Sequence, residues 1–159
     1  MAAKGFFESF FGEFAFDKWT YIFDWLVDDG KFNDWTKTEL KLFADGVKKI
    51  KTIEKGLYLY DKKSVANPSA YDRKKNRRKT SIVIMVKGNG QAKDIVRHLR
   101  NGVAHGRATL CTRNSVRCIE LTDFGKYGEK NKSGGQTAYI LVPVGFIKDL
   151  YDLYVKTKP

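Results

Sequence analysis

Cysteine and histidine are scarce in this chain of 159 residues, which has two of each. Cys111 and Cys118 lie seven residues apart with no second Cys or His pair nearby. That is too few ligands for a zinc site and too few thiols for a disulfide framework. Ordinary reduced thiols are expected, with a cross-strand disulfide as the lesser alternative. Long apolar runs are missing as well, so no membrane span is expected. The start, Met1-Ala2-Ala3-Lys4-Gly5-Phe6-Phe7-Glu8, lacks the uninterrupted apolar core of a signal peptide, and a complete cytoplasmic protein is expected. Gly88-Asn89-Gly90 is not followed by the lysine and hydroxyl residue of a phosphate-binding loop. With no cluster of carboxylates to hold a cation, neither metal nor cofactor is expected. Internal repeats and domain boundaries are absent too, which leaves a single domain over residues 1–159.

Positive charge is abundant. The chain carries a formal net charge of +12, which favours polyanions, nucleic acid ahead of anionic membrane. That charge is unevenly placed. Residues 1–45 hold five basic and nine acidic groups, whereas Lys62–Lys79 holds eight basic residues against Asp72 alone. An exposed loop is expected there, with Arg73, Lys74, Lys75, Arg77, Arg78 and Lys79 as phosphate contacts; the plainer reading is a solvated charge run.

Hydrophobic spacing sets the expected elements. Phe7, Phe10, Phe11 and Phe14, then Trp19, Ile22, Phe23 and Leu26, recur at helical intervals. They predict one interrupted helix or two short ones, stopping at Asp28-Asp29-Gly30, with the aromatic stripe in the core or a subunit contact. Thr36-Lys37-Thr38-Glu39 has the form of a capping box, and the periodicity behind it carries a helix to about Tyr60. Ile82–Val86 reads as a buried strand, with a core helix segment as the alternative the pattern leaves open, and residues 91–104 as a helix ended by Gly106. Val116–Thr122 and Gln136–Val142 read as strands joined through Lys130–Gly135, and a last helix carries Phe146, Ile147, Leu150, Leu153 and Tyr154. The expected fold is mainly α, a helical bundle with a small β-hairpin or sheet inserted before the C-terminal helix.

Both histidines fall in Arg97-His98-Leu99-Arg100-Asn101-Gly102-Val103-Ala104-His105-Gly106. On a wheel at about 100° per residue, Ala92, Val96, Leu99 and Val103 share one face with Ile95 on its flank. Arg97, Asn101 and His105 lie opposite, with Asp94 and His98 close by and Arg100 at the border, about 140° from His105. This polar row points away from the core, toward solvent or a partner. Its chemistry suits RNA cleavage, where the 2′-hydroxyl attacks the adjacent phosphorus. A base takes its proton and an acid protonates the leaving 5′-oxygen; histidine serves either role near neutral pH. Arginine holds the phosphate and asparagine orients a partner. One imidazole does not readily do both jobs, so a two-fold homodimer joining two polar faces is expected. In the plainer reading His105 bonds carbonyls at a helix end and Arg100 forms a surface ion pair.

Arg100-Asn101-Gly102-Val103-Ala104-His105 resembles the motif of the HEPN-domain superfamily, in which an arginine, often followed by asparagine, precedes a histidine by four to six residues. The resemblance implies a helical bundle that dimerises so that two motifs line one cleft. It also implies metal-independent RNA cleavage to 2′,3′-cyclic phosphate ends, as in toxin–antitoxin, abortive-infection and CRISPR systems. By the same resemblance Arg100 binds phosphate, His105 is the acid/base and Asn101 supports them; Arg97, His98 and Arg107 are neighbouring nucleic-acid contacts inferred from the sequence itself. An antitoxin or regulatory protein is the further partner class implied. Arg107 stands where the toxins paired with nucleotidyltransferase antitoxins carry a modified tyrosine, which argues against that pairing. The alternative class is a non-catalytic nucleic-acid-binding, dimerisation or regulatory module.

Overall fold

The computed structural model describes residues 2–28, 30–60, 79–85, 92–124 and 136–159. Among these, six helices and five strands follow in the order α1 (Ala2–Glu13), α2 (Phe16–Val27), α3 (Lys37–Lys49), α4 (Lys51–Glu54), β1 (Leu57–Tyr60), β2 (Ile82–Met85), α5 (Ala92–Ala104), β3 (Ala108–Arg113), β4 (Val116–Phe124), β5 (Gln136–Pro143) and α6 (Gly145–Thr157). The strands form one sheet in the order β1-β2-β5-β4-β3. β1 and β2 run parallel; the remaining neighbours are antiparallel.

This sheet overturns the expectation of a mainly α bundle with a small β insert: the fold is mixed α/β. Two strands depart from the sequence pattern. Leu57 continues the phase of the helix before it, yet the chain already leaves that helix at Ile50 (φ −62°, ψ 127°) and turns through the four-residue α4 into β1. β3 is joined to β4 by Asn114-Ser115, both at positive φ (49° and 64°), the backbone of a two-residue hairpin turn with the same sense of twist as the strands. Asn-Ser is a weaker spelling of that turn than Asn-Gly and does not announce it.

Other expectations hold. α1 and α2 are two short helices, and α3 begins with a complete capping box, in which Thr36 Oγ1 accepts from Glu39 N–H and Glu39 Oε2 accepts from Thr36 N–H. β2, β4, β5 and α6 fall where the pattern puts them. Val86, the 61–78 stretch and Lys130–Gly135 lie outside the described residues.

Period-two alternation divides the sheet into two faces. Val83, Met85, Ile119, Leu121, Ala138, Ile140 and Val142 join the helices in the main core; Ile82, Ile84, Cys118, Tyr139 and Leu141 are buried on the other face. β5 is central and buried on both faces, which its Ala-Tyr-Ile-Leu-Val run suits. From the helical side Ile95, Val96, Leu99 and Val103 of α5 are buried against this surface, each such side chain stabilising the fold by about 1.5–3 kcal/mol before entropy is counted. Of the aromatic stripe, Phe10 and Phe23 are buried and meet edge to face at 4.8 Å, while Phe7, Phe11, Phe14 and Trp19 are half-buried against the core. Glu13 of α1 is bound by Arg117 of β4 through two nitrogens, at 2.6 and 2.7 Å. Cys111 and Cys118 sit opposite one another on β3 and β4, and no disulfide joins them. Among the described residues no helix is long and apolar enough to cross a membrane.

Candidate functional site

The C-terminal half of α5 packs on the end of β4, and Gly102 sets the distance between them. A Cβ at Gly102 would fall 2.8 Å from Leu121 Cδ1 and 3.0 Å from Leu121 Cβ, so no larger residue fits without displacement. His98 and Asn101 lie four and one residues before that glycine and are carried onto β4 with it. Two residues past Leu121, on the same face of the strand, stands Asp123.

Asp123 organises the site. Its Oδ2 accepts from His98 Nδ1 at 2.7 Å and from Asn101 Nδ2 at 3.1 Å, while Oδ1 accepts the backbone N–H of Phe124 at 2.8 Å. A carboxylate only accepts, so His98 Nδ1 carries the hydrogen. Burial pushes the Asp123 carboxyl up, but the hydrogen bonds from His98 and Asn101, the attraction to His98 and the Phe124 N–H outweigh it and hold the group below the ordinary aspartate value. The chain of bonds runs on outward: Arg100 Nη1 donates to Asn101 Oδ1 at 3.0 Å. Both ends of the Asn101 amide are therefore fixed, and Arg100 is tied to a buried carboxylate through one intermediary.

His98 is 0% exposed and Asp123 2%. The expectation that His98 belongs to an outward polar row and contacts nucleic acid is thus corrected. A single helical wheel assigns His98 to the polar side, but the strand that closes over that side brings a carboxylate to meet it. Asp94 is buried as well and accepts from Arg97 Nη2 at 3.2 Å, leaving Arg97 exposed.

α5 ends in two bonds that close its last turn around Gly106: Gly106 N–H to Val103 O at 3.2 Å and Arg107 N–H to Gly102 O at 2.8 Å, with Gly106 at φ 70°. His105 is the last residue before that glycine. Its N–H still reaches Asn101 O at 2.9 Å, and its side chain is exposed. Arg107 turns back over the sheet, its guanidinium carbon 4.6 Å from the centroid of Phe124.

The structure therefore brings Arg100, Asn101, His98 and Arg107 together around Asp123 and Phe124, with His105 one turn beyond. Lys79 lies elsewhere, beside the start of β2. Arg73, Lys74, Lys75, Arg77 and Arg78 lie outside the described residues. Asp123 and Phe124 were missed by sequence reasoning. The signal was present in β4, where Ile119, Leu121 and Asp123 alternate on one face: a carboxylate in a core register needs a buried partner. Among the described residues no three metal-ligating side chains converge. Comparison with known proteins gives no match, whether to a family model, a curated protein or a solved structure.

Proposed function

We propose that this protein is a metal-independent endoribonuclease acting in the cytoplasm, with Arg100, Asn101 and His105 at its reacting centre. The observation that carries the reading is the bonded chain His98–Asp123–Asn101–Arg100, with an exposed His105 one helical turn past Asn101. A buried carboxylate that fixes an asparagine and, through it, an arginine is the kind of support that a phosphate-binding arginine requires. His98 and Asp123 are positioning residues, since neither reaches solvent. The resemblance of Arg100–His105 to the HEPN motif supports the same assignment of roles, and rests now on the motif alone.

In the proposed reaction Arg100 holds the scissile phosphate and stabilises its developing charge. An imidazole takes the 2′-hydroxyl proton, and a second returns a proton to the leaving 5′-oxygen. The fold exposes one such histidine per chain, so a homodimer provides the pair, His105 and its copy. RNA is the substrate, and an antitoxin or other regulatory protein is the partner class that such an activity calls for.

End-group analysis tests the reading. Single-stranded RNA incubated with the protein in EDTA should yield 2′,3′-cyclic phosphate and 5′-hydroxyl ends, from a species that sediments as a dimer. Salt-sensitive RNA binding without new ends would identify a binding module instead.

A further inference from the structure

Away from that site, a cavity of about 350 Å³ opens between α4 and the start of β2, lined by Lys51, Thr52, Lys55, Gly56, Lys79, Thr80 and Ser81. Three of these residues carry ammonium groups and three carry hydroxyls; none is a carboxylate. Lys51 and Lys55 are one helical turn apart and share a side of the chain. Two of the hydroxyls, Thr52 Oγ1 and Ser81 Oγ, are buried with no hydrogen-bond partner among the described residues, although Ser81 is only 4% exposed. Buried polar groups of this kind are ordinarily satisfied, by protein, water or ligand.

Gly56 makes the cavity's inner wall close-fitting. A Cβ there would collide with the Ser81 carbonyl oxygen and approach Ser81 Cβ to 2.7 Å and the Thr52 carbonyl to 2.8 Å. The end of α4 and the start of β2 thus press backbone against backbone, with the three lysines exposed and the Thr52 and Ser81 hydroxyls buried.

We propose that this cavity is a phosphate-binding site, taking a phosphate monoester or diester on Lys51, Lys55 and Lys79, with the Thr80 hydroxyl as a further donor and the buried, unpartnered Thr52 and Ser81 hydroxyls rotating to join it. Clustered ammonium groups repel unless an anion lies between them, and hydroxyl donors complete the coordination of phosphoryl oxygens. The volume is at the low end of the range of about 300–1,000 Å³ typical of small-ligand sites, room for a phosphate with an attached sugar. The site is distinct from the His105 region. Ser81 precedes Ile82, which is level with Leu141 and Glu120 across the sheet, whereas Met85 is level with Ala138 and Asp123. Ser81 and Met85 are four residues of strand apart, about 13 Å. The proposal does not rest on the ribonuclease reading.

The full chain should be titrated with inorganic phosphate, AMP and a short single-stranded RNA, following the amide signals of Thr52, Gly56, Thr80 and Ser81 by NMR. Saturable shifts are expected, weakened about tenfold in Lys51→Gln/Lys55→Gln, whose melting temperature should match wild type because both lysines are exposed. Ser81→Ala serves as a second variant, with weaker binding expected and all charges kept. If the phosphate arrives on RNA, the double variant flattens the slope of log affinity against log salt by about 0.7 for each phosphate that is no longer neutralised. If it arrives on a small molecule, AMP shifts these amides and the RNA slope is unchanged. Absence of shifts with all three probes, or equal binding by wild type and both variants, overturns the proposal. RNA cleavage is scored separately, so its absence leaves this result standing.

Discussion

His98 Nδ1 lies 2.7 Å from Asp123 Oδ2, and the pair is sealed from solvent although 25 residues separate its members. The contact joins the helix that carries the candidate motif to the strand beneath it. Because Asn101 shares the same carboxylate oxygen, the pair also decides where Arg100 is held.

Asp123→Asn should destabilise the fold by about 1–3 kcal/mol, since it leaves the His98 and Asn101 donors without an acceptor of matching charge. Urea denaturation checks this. The pH dependence has a definite sign. Asp123 is held below its unfolded value of about 3.9, so its contribution is complete above that pH and is lost as pH falls through the folded-state value. The acid limb of the stability curve should flatten in the variant; an unchanged limb would remove Asp123 from its place as the anchor.

Gly102→Ala should cost about 1–3 kcal/mol, the usual effect of overpacking a close contact. The new methyl meets Leu121, so Leu121→Ala in the same chain should restore part of the loss, measured as a coupling energy in a double-mutant cycle. Strict additivity would mean that α5 and β4 are not held apart by that glycine.

At Gly106, alanine must adopt φ 70°, which costs about 1–2 kcal/mol and loosens the turn that presents His105. Thermal unfolding should register the loss. A wild-type melting temperature would show that the helix end tolerates another geometry.

The legible part of this protein was its local chemistry. Thr36 and Glu39 announce a helix start because their side chains complete backbone donors next to them, and Gly106 announces a helix end because it alone accepts a left-handed backbone there. The roles proposed for Arg100, Asn101 and His105 rest on spelling. The sheet was not legible as a sheet. Leu57–Tyr60 is apolar in a way that a helix or a strand satisfies, and its parallel partner β2 lies across the 61–78 stretch, so pairing is a long-range property. The burial of His98 has the same origin. A wheel ranks residues by direction around one helix, whereas Asp123 reaches His98 from a strand whose register is set by β5 and β3.

Cys111 and Cys118 should differ in reactivity. Burial raises the Cys118 thiol to about 11, with the neighbouring Cys111 adding to it. Under native conditions near neutral pH iodoacetamide should modify the half-buried Cys111 first and Cys118 only on unfolding, read by peptide mass spectrometry. Equal labelling would place Cys118 in an exposed strand.

The most direct measurement is RNA cleavage by His105→Ala beside wild type, both in EDTA and both matched for secondary structure, melting temperature and sedimentation. His105 is exposed, so the fold should survive the substitution within about 0.5 kcal/mol. Cutting by the wild type and its loss in the variant, with RNA binding retained, is the predicted result. Equal cutting by both proteins, or none by the wild type at stoichiometric amounts, would contradict it.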